Sequence, residues 1–153
     1  MTLLDYIHQA HSFAERSPSG SVAGLKKVTI HVDGACHPNP GRGGWGALLR
    51  YGRHEKRLSG RIPEEPTTSP RSELHAAIKA LEALREPCEV RIYSDSAYVV
   101  QTMLGEYGRR SNVDLWEMLD AVAAPHKVSW AWVRSHAGNR GNEIAHRLAE
   151  VVA

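Results

Sequence analysis

A short β-rich run, Lys27-Val28-Thr29-Ile30-His31-Val32, ends on an acid, Asp33, and opens directly into a glycine-rich stretch, DGACHPNPGRGGWG. That succession narrows what the chain can fold into. β-Branched residues in alternation ask for a strand. Gly41, Gly43, Gly44 and Gly46, set around Trp45, ask for a place where the backbone turns tightly or another segment comes close. A carboxylate delivered to the end of a strand can hold a metal or take a proton. Taken alone, the stretch also fits a β-hairpin with a glycine-rich bend and a solvated Asp.

The rest of the chain supplies the frame. Residues 2–15 read as a helix, with Leu3, Ile7, Ala10 and Ala14 at helical spacing, followed by a linker, Ser17-Pro18-Ser19-Gly20-Ser21. A lone helix cannot bury its own face, so residues 1–25 read as an N-terminal extension and residues 26–153 as the domain. Strands are expected at Lys27 to Val32, Trp45 to Tyr51 and His54 to Gly60, joined by short links that favour antiparallel neighbours. Pro63 to Pro70 reads as a loop. A helix is predicted over Arg71–Arg85, with Leu74, Ala77, Ile78, Leu81 and Leu84 inward and Glu73 in its first turn. A strand over Val90–Tyr93 then leads to Ser94-Asp95-Ser96. Two helices follow, the second capped by Ser111 or Asn112 with Leu115, Trp116, Leu119 and Val122 inward. A strand over Val128–Val133, a loop holding His136 and a last helix from about Asn142 complete the chain. The expected fold is α/β: a five-stranded mixed sheet, three antiparallel strands continued by parallel ones, with helices on both faces.

Composition sets limits. The 153 residues, 42% hydrophobic and 24% charged, suit one soluble domain with a real core. No apolar run approaches the ~20 residues that span a bilayer, and no secretory signal is evident, so a cytoplasmic protein with no membrane partner, and a monomer, is expected. Cys36 and Cys88 make neither a disulfide framework nor a zinc pair. Net charge is only +2. The cluster Arg50, Arg53, Lys56, Arg57 and Arg61, and the pair Arg109-Arg110, suit either phosphates or a solvated face.

Two acids hold equivalent places, Asp33 after the first strand and Asp95 after the fourth. On parallel neighbouring strands joined by a right-handed crossover both would emerge at the same sheet edge, where open α/β folds place their sites. The crossover helix would bring Glu73 beside them. Crowded carboxylates repel and raise one another's pKa unless a cation sits between them. An all-oxygen set suits Mg²⁺ or Mn²⁺, and two such ions about 4 Å apart can clamp a phosphodiester. Capping or surface acids are the other reading.

Together these pieces resemble the type 1 ribonuclease H family. The resemblance runs over roughly residues 27–152 and rests on DGACHPNPGRGGWGALL from Asp33, TTSPRSELHAAIKALEAL from Thr67, SDSAYV from Ser94, NVDLW from Asn112 and WAWVRSHAGNRGNEIAHRLA from Trp130. It implies endonucleolytic hydrolysis of the RNA strand of an RNA–DNA hybrid, leaving 5′-phosphate and 3′-hydroxyl ends, with Mg²⁺ or Mn²⁺ in a two-metal site. It implies catalytic carboxylates at Asp33, Glu73 and Asp95, and at His136 a histidine that positions water or helps release product. Hybrid contacts are implied at Gly34, Ala35, Cys36 and Asn39, with Glu73, for the RNA 2′-hydroxyl, and at Thr67, Arg71 and Asn112 for DNA phosphates.

The sequence departs from the family pattern in places. The fourth metal-site position, Asp in a pattern like NExADxLA, is His146 here. A neutral imidazole removes one negative charge and favours Mn²⁺; a solvated helix histidine is the other reading. Ser69-Pro70 replaces an asparagine pair, Ala97 stands where Gln is frequent, and Ser135 replaces the Gly before His136. A basic, tryptophan-bearing protrusion is missing, which leaves hybrid affinity to Arg109, Arg110, the arginine-rich hairpin, the N-terminal extension or a partner. Two rival functions remain: a hybrid-binding module that has lost catalysis, and a related-fold nuclease or polynucleotidyl transferase.

Overall fold

The computed structural model describes residues 24–153. The helix and linker expected within residues 2–21 lie outside the described residues. Strands β1 (Lys26–Cys36), β2 (Gly43–Tyr51) and β3 (His54–Arg61) come first; helix α1 (Ser69–Glu82), β4 (Cys88–Ser94), α2 (Ala97–Met103), α3 (Val113–Ala123), β5 (Lys127–Trp132) and α4 (Arg140–Val152) follow. The sheet order is β3-β2-β1-β4-β5. β1–β2 and β2–β3 are antiparallel, whereas β1–β4 and β4–β5 are parallel. This is the expected five-stranded mixed sheet.

Period-two alternation in β1 sends Val28, Ile30 and Val32 to one face. There they join Leu74, Ile78 and Leu81 of α1, Val99 and Val100 of α2, and Leu115, Trp116 and Leu119 of α3 in one core. On the other face α4 lays Ile144, Ala145 and Ala149 against the sheet. Two glycines let the helices approach. A Cβ on Gly34 in β1 would collide with the backbone of Ser72 and Glu73 in α1. One on Gly46 in β2 would stand 2.7 Å from Leu148 Cβ and 2.8 Å from Ala149 N in α4.

Those contacts correct the glycine-rich stretch. It is not a bend after Asp33. β1 runs on to Cys36 and pairs with β2 as far as Cys36↔Gly43, while its parallel pairing with β4 stops at Val32↔Ser94. Asp33 therefore lies inside β1 but at the end of the parallel ladder. A second correction concerns α1, which starts at Ser69. Thr68 is its N-cap, accepting from Arg71 N–H at 3.3 Å, and Pro70 sits in the first turn, where a missing N–H costs nothing. Glu73 thus falls in the second turn, and the helix ends at Glu82 rather than Arg85. Asn112 is the N-cap residue of α3 but has left-handed backbone, φ 58°, and makes no side-chain cap bond. Cys36 and Cys88 are buried and unpaired, and burial pushes the Cys88 thiol up to about 11. Among the described residues no helix is long and apolar enough to cross a membrane.

Candidate active site

Val32 and Ser94 are the last partners of the parallel β1–β4 ladder, so Asp33, within β1, and Asp95, just past the end of β4, are the next residues side by side. Asp33 faces the α4 side with its register partner Gly46. α1, held against Gly34, contributes Glu73, whose Oε1 accepts from Gly34 N–H at 3.1 Å. One carboxylate oxygen from each of Asp33, Glu73 and Asp95 lies within 4.8 Å of the others, a grouping that could hold a metal ion.

Its electrostatics call for a cation. Asp33 is only 3% exposed. Burial raises its pKa, with the Asp95 charge adding to the rise and the neighbouring Glu73 and His146 side chains opposing it. Glu73 is pushed well above the ordinary carboxylate range, first by burial and then by the Asp33 charge. Glu73 Oε2 is buried and has no hydrogen-bond partner. A buried carboxylate oxygen with no donor is costly as it stands, and a divalent ion would satisfy it. The donor set is hard oxygen, suited to a divalent ion such as Mg²⁺ or Mn²⁺.

Two histidines flank the carboxylates. His146 on α4 places Nδ1 2.8 Å from Asp33 Oδ2, with its side chain 33% exposed. His136, in the exposed loop before α4, has φ 54° and stands edge-on to His146, ring centroids 5.1 Å apart. That loop also reaches Asp95. Ser135 Oγ donates to Asp95 Oδ2 at 2.7 Å, while Trp132 Nε1 donates to the Asp95 carbonyl at 3.1 Å. In the sequence Ser135 stands out only as a departure from the family pattern, and nothing local marks Trp132 for the site. A hydroxyl beside His136 was the one available signal for the Asp95 contact.

The residues expected to touch the hybrid form a second group. Ala35 and Cys36 are buried in β1, and the Cys36 thiol lies 3.4 Å from the Thr67 carbonyl. Exposed Asn39 accepts from Ser69 N–H at 3.2 Å through Oδ1. Buried Thr67 directs its hydroxyl to Glu64 at 3.4 Å, and its backbone bridges Gly41. Arg71 is heavily engaged: Nε donates to Glu64 at 2.9 Å, Nη1 to Asn112 at 3.2 Å, and both Nη groups to Asp114 at 3.0 and 2.8 Å. The Asp114 pairing leads in holding the guanidinium above its ordinary value. In return Arg71 draws Asp114 down to about 2. Asn112 Nδ2 donates to the Tyr98 hydroxyl at 3.1 Å, so its side chain braces Arg71 and Tyr98 rather than its own helix. Other arginines are partly compensated too. Arg109 pairs with Asp120 at 3.0 Å and lies 5.3 Å from the Trp116 ring, and Arg140 forms a two-point pair with Glu55 at 2.9 and 3.0 Å.

Fold and site thus define an α/β domain with a carboxylate cluster at the open end of its parallel ladder. The model of the family described as RNase H matches residues 25–153. Ribonuclease H of Erythrobacter litoralis is 49% identical over 142 residues, covering 84% of this chain and 97% of that protein. Among solved structures, LC9-RNase H1, a type 1 RNase H with the type 2 active-site motif, superposes with TM-score 0.72 at 28% identity, covering 86% of this chain and 74% of that one. LC11-RNase H1, solved in complex with RNA/DNA hybrid, has the same fold at TM-score 0.67 and 20% identity, covering 81% and 97%. The chain belongs to the RNase H family.

Proposed function

We propose that this protein hydrolyses the RNA strand of RNA–DNA hybrids at internal positions, leaving 5′-phosphate and 3′-hydroxyl ends. The observation that carries the reading is the close grouping of Asp33, Glu73 and Asp95 on an RNase H scaffold, with the Glu73 Oε2 atom buried and unpartnered.

Asp33, Glu73 and Asp95 hold the divalent ions, with His146 at the edge of the set. Ions bound there supply Lewis acidity toward a phosphodiester and lower the pKa of bound water. The chain's own residues orient that chemistry. Gly34 N–H fixes Glu73 Oε1, and Ser135 together with Trp132 fixes Asp95 at side chain and carbonyl. His136, on its exposed loop, positions water or helps product leave. Backbone at Gly34, Ala35 and Cys36, together with Asn39, reads the RNA strand through its 2′-hydroxyls. Thr67, Arg71 and Asn112 receive DNA phosphate. Because Glu64 and Asp114 already compensate the Arg71 charge, this contact favours shape and hydrogen bonding over net attraction. The nitrogen donor at position 146 favours Mn²⁺ over Mg²⁺. The protein works as a cytoplasmic monomer.

The test is cleavage of a strand-labelled RNA–DNA hybrid, titrated with Mg²⁺ and Mn²⁺, for the protein and for His146→Asp. Only the RNA strand should be cut, Mn²⁺ should support the higher rate, and His146→Asp should improve use of Mg²⁺. Binding without cutting at every metal concentration would instead identify a hybrid-binding module. Cleavage of DNA junctions would identify a different nuclease of the same fold.

A further inference from the structure

Glu150 lies one helical turn beyond His146 on α4. Its Oε1 stands 3.6 Å from His146 Nε2 and 2.9 Å from His37 Nε2. The other ring nitrogen of His146, Nδ1, is 2.8 Å from Asp33 Oδ2. The imidazole is therefore strung between two carboxylates, one within the acid cluster and one outside it.

An imidazole offers a lone pair to a cation at only one nitrogen, and the proton must then reside on the other. For a cation among Asp33, Glu73 and Asp95, the nitrogen that faces the cluster is Nδ1. The competing arrangement puts the proton on Nδ1, where Asp33 Oδ2 accepts it. That arrangement closes two metal-binding atoms at once, Nδ1 and Asp33 Oδ2.

We infer that Glu150 is a positioning residue that accepts the His146 Nε2 proton when a cation binds, and so frees the Nδ1 lone pair for the carboxylate cluster. A carboxylate behind a ligating histidine sets its tautomer, and a spacing of four on a helix puts the two side chains on one face. His37 completes the arrangement by pinning Glu150 from the segment that leads to Asn39. The same hydrogen bond ties α4 to the loop proposed to read the RNA strand.

This inference rests on the proposed membership of His146 in the metal site, and its test needs no substrate. Ring nitrogens of His146 are followed by long-range proton–nitrogen correlation at fixed pH with saturating Mg²⁺, with the signals assigned by their loss in His146→Asn. Mg²⁺ and Mn²⁺ affinities are measured by calorimetry on the same samples. The wild type should carry its proton on Nε2. Glu150→Ala should move it to Nδ1 and weaken metal binding about tenfold. Glu150→Gln, whose amide oxygen still accepts, should restore both, and His37→Ala should fall between. An unchanged nitrogen pattern and affinity in Glu150→Ala would overturn the inference. So would a Glu150→Gln as impaired as Glu150→Ala, because charge rather than proton placement would then be at work. A protein that passes this test yet cuts no hybrid refutes the proposed activity and leaves the role of Glu150 standing. Hybrid cleavage by a protein whose His146 ignores metal does the reverse.

Discussion

Glu73→Gln should stabilise the metal-free protein while removing its response to metal. The substitution keeps the shape of the side chain and the acceptor for Gly34 N–H, and it gives the buried, unpartnered Oε2 position an amide that can donate to Asp33. Two carboxylates 4.8 Å apart, the limit that bounds the site, repel by about 3.5 kcal/mol at an effective dielectric of ~20. Proton uptake by the crowded groups relieves part of that, so a net gain of roughly 2 kcal/mol is expected at pH 8. For a domain of this size that gain is a rise of about 4–8 °C in Tm. The sign follows from the raised pKa values of Asp33 and Glu73. Groups whose folded pKa is raised contribute stability that is present below the unfolded value and lost as pH rises through the folded one. The wild type in chelator should therefore lose stability above the ordinary carboxylate range, and the variant should lose less. Thermal melts in chelator from pH 4 to pH 8, repeated with Mg²⁺, make the measurement. A Glu73→Gln protein that melts at or below the wild type at pH 8, or gains as much from Mg²⁺, would refute the reasoning.

Gly46→Ala should cost roughly 1–3 kcal/mol, because a Cβ 2.7 Å from Leu148 Cβ and 2.8 Å from Ala149 N can be relieved only by lifting α4. A lower Tm with weakened metal binding is expected, since α4 carries His146; an unchanged Tm would show that the approach is not close. Asp114→Asn tests the Arg71 pair. The folded pKa of Asp114 is depressed to about 2, so its contribution is present above the unfolded value near 3.8 and lost as pH falls through about 2. The variant should be slightly less stable than wild type at pH 6, with the gap closing between pH 4 and pH 2; a gap constant with pH would mean that the pair contributes nothing.

The sheet and the convergence of the acids were legible because local signals and topology agreed. Val28, Ile30 and Val32 alternate as a half-buried strand must, and Val90, Ile92, Val128 and Trp130 mark two further strands. A strand–helix–strand unit whose strands lie side by side has to bring Asp33 and Asp95 to one edge. The errors arose where one residue type serves two purposes. Glycine marks bends, so β1 was expected to stop at Val32; here Gly34 and Gly46 are strand residues that admit helices from opposite faces. Proline marks loops, yet Pro70 sits in the first turn of α1 and carries the helix start back to Ser69. Asn112 suggests a cap, but its side chain is drawn to Arg71 and Tyr98. The pairing of His37 with Glu150 spans 113 positions and has no local signature in a single sequence.

A histidine at position 146 gains a physical rationale from its surroundings. A carboxylate there would add to the repulsion among Asp33, Glu73 and Asp95 whenever no cation is bound. An imidazole can instead donate to Asp33 Oδ2 in the metal-free protein and present a nitrogen once a cation arrives. That exchange requires the proton to have somewhere else to go, and Glu150 Oε1, 3.6 Å from Nε2, is the acceptor at hand. The histidine and the glutamate one turn later therefore make more sense as a pair than either does alone. Glu150 carries its negative charge outside the cluster, where solvent moderates the repulsion and His37 holds it in place.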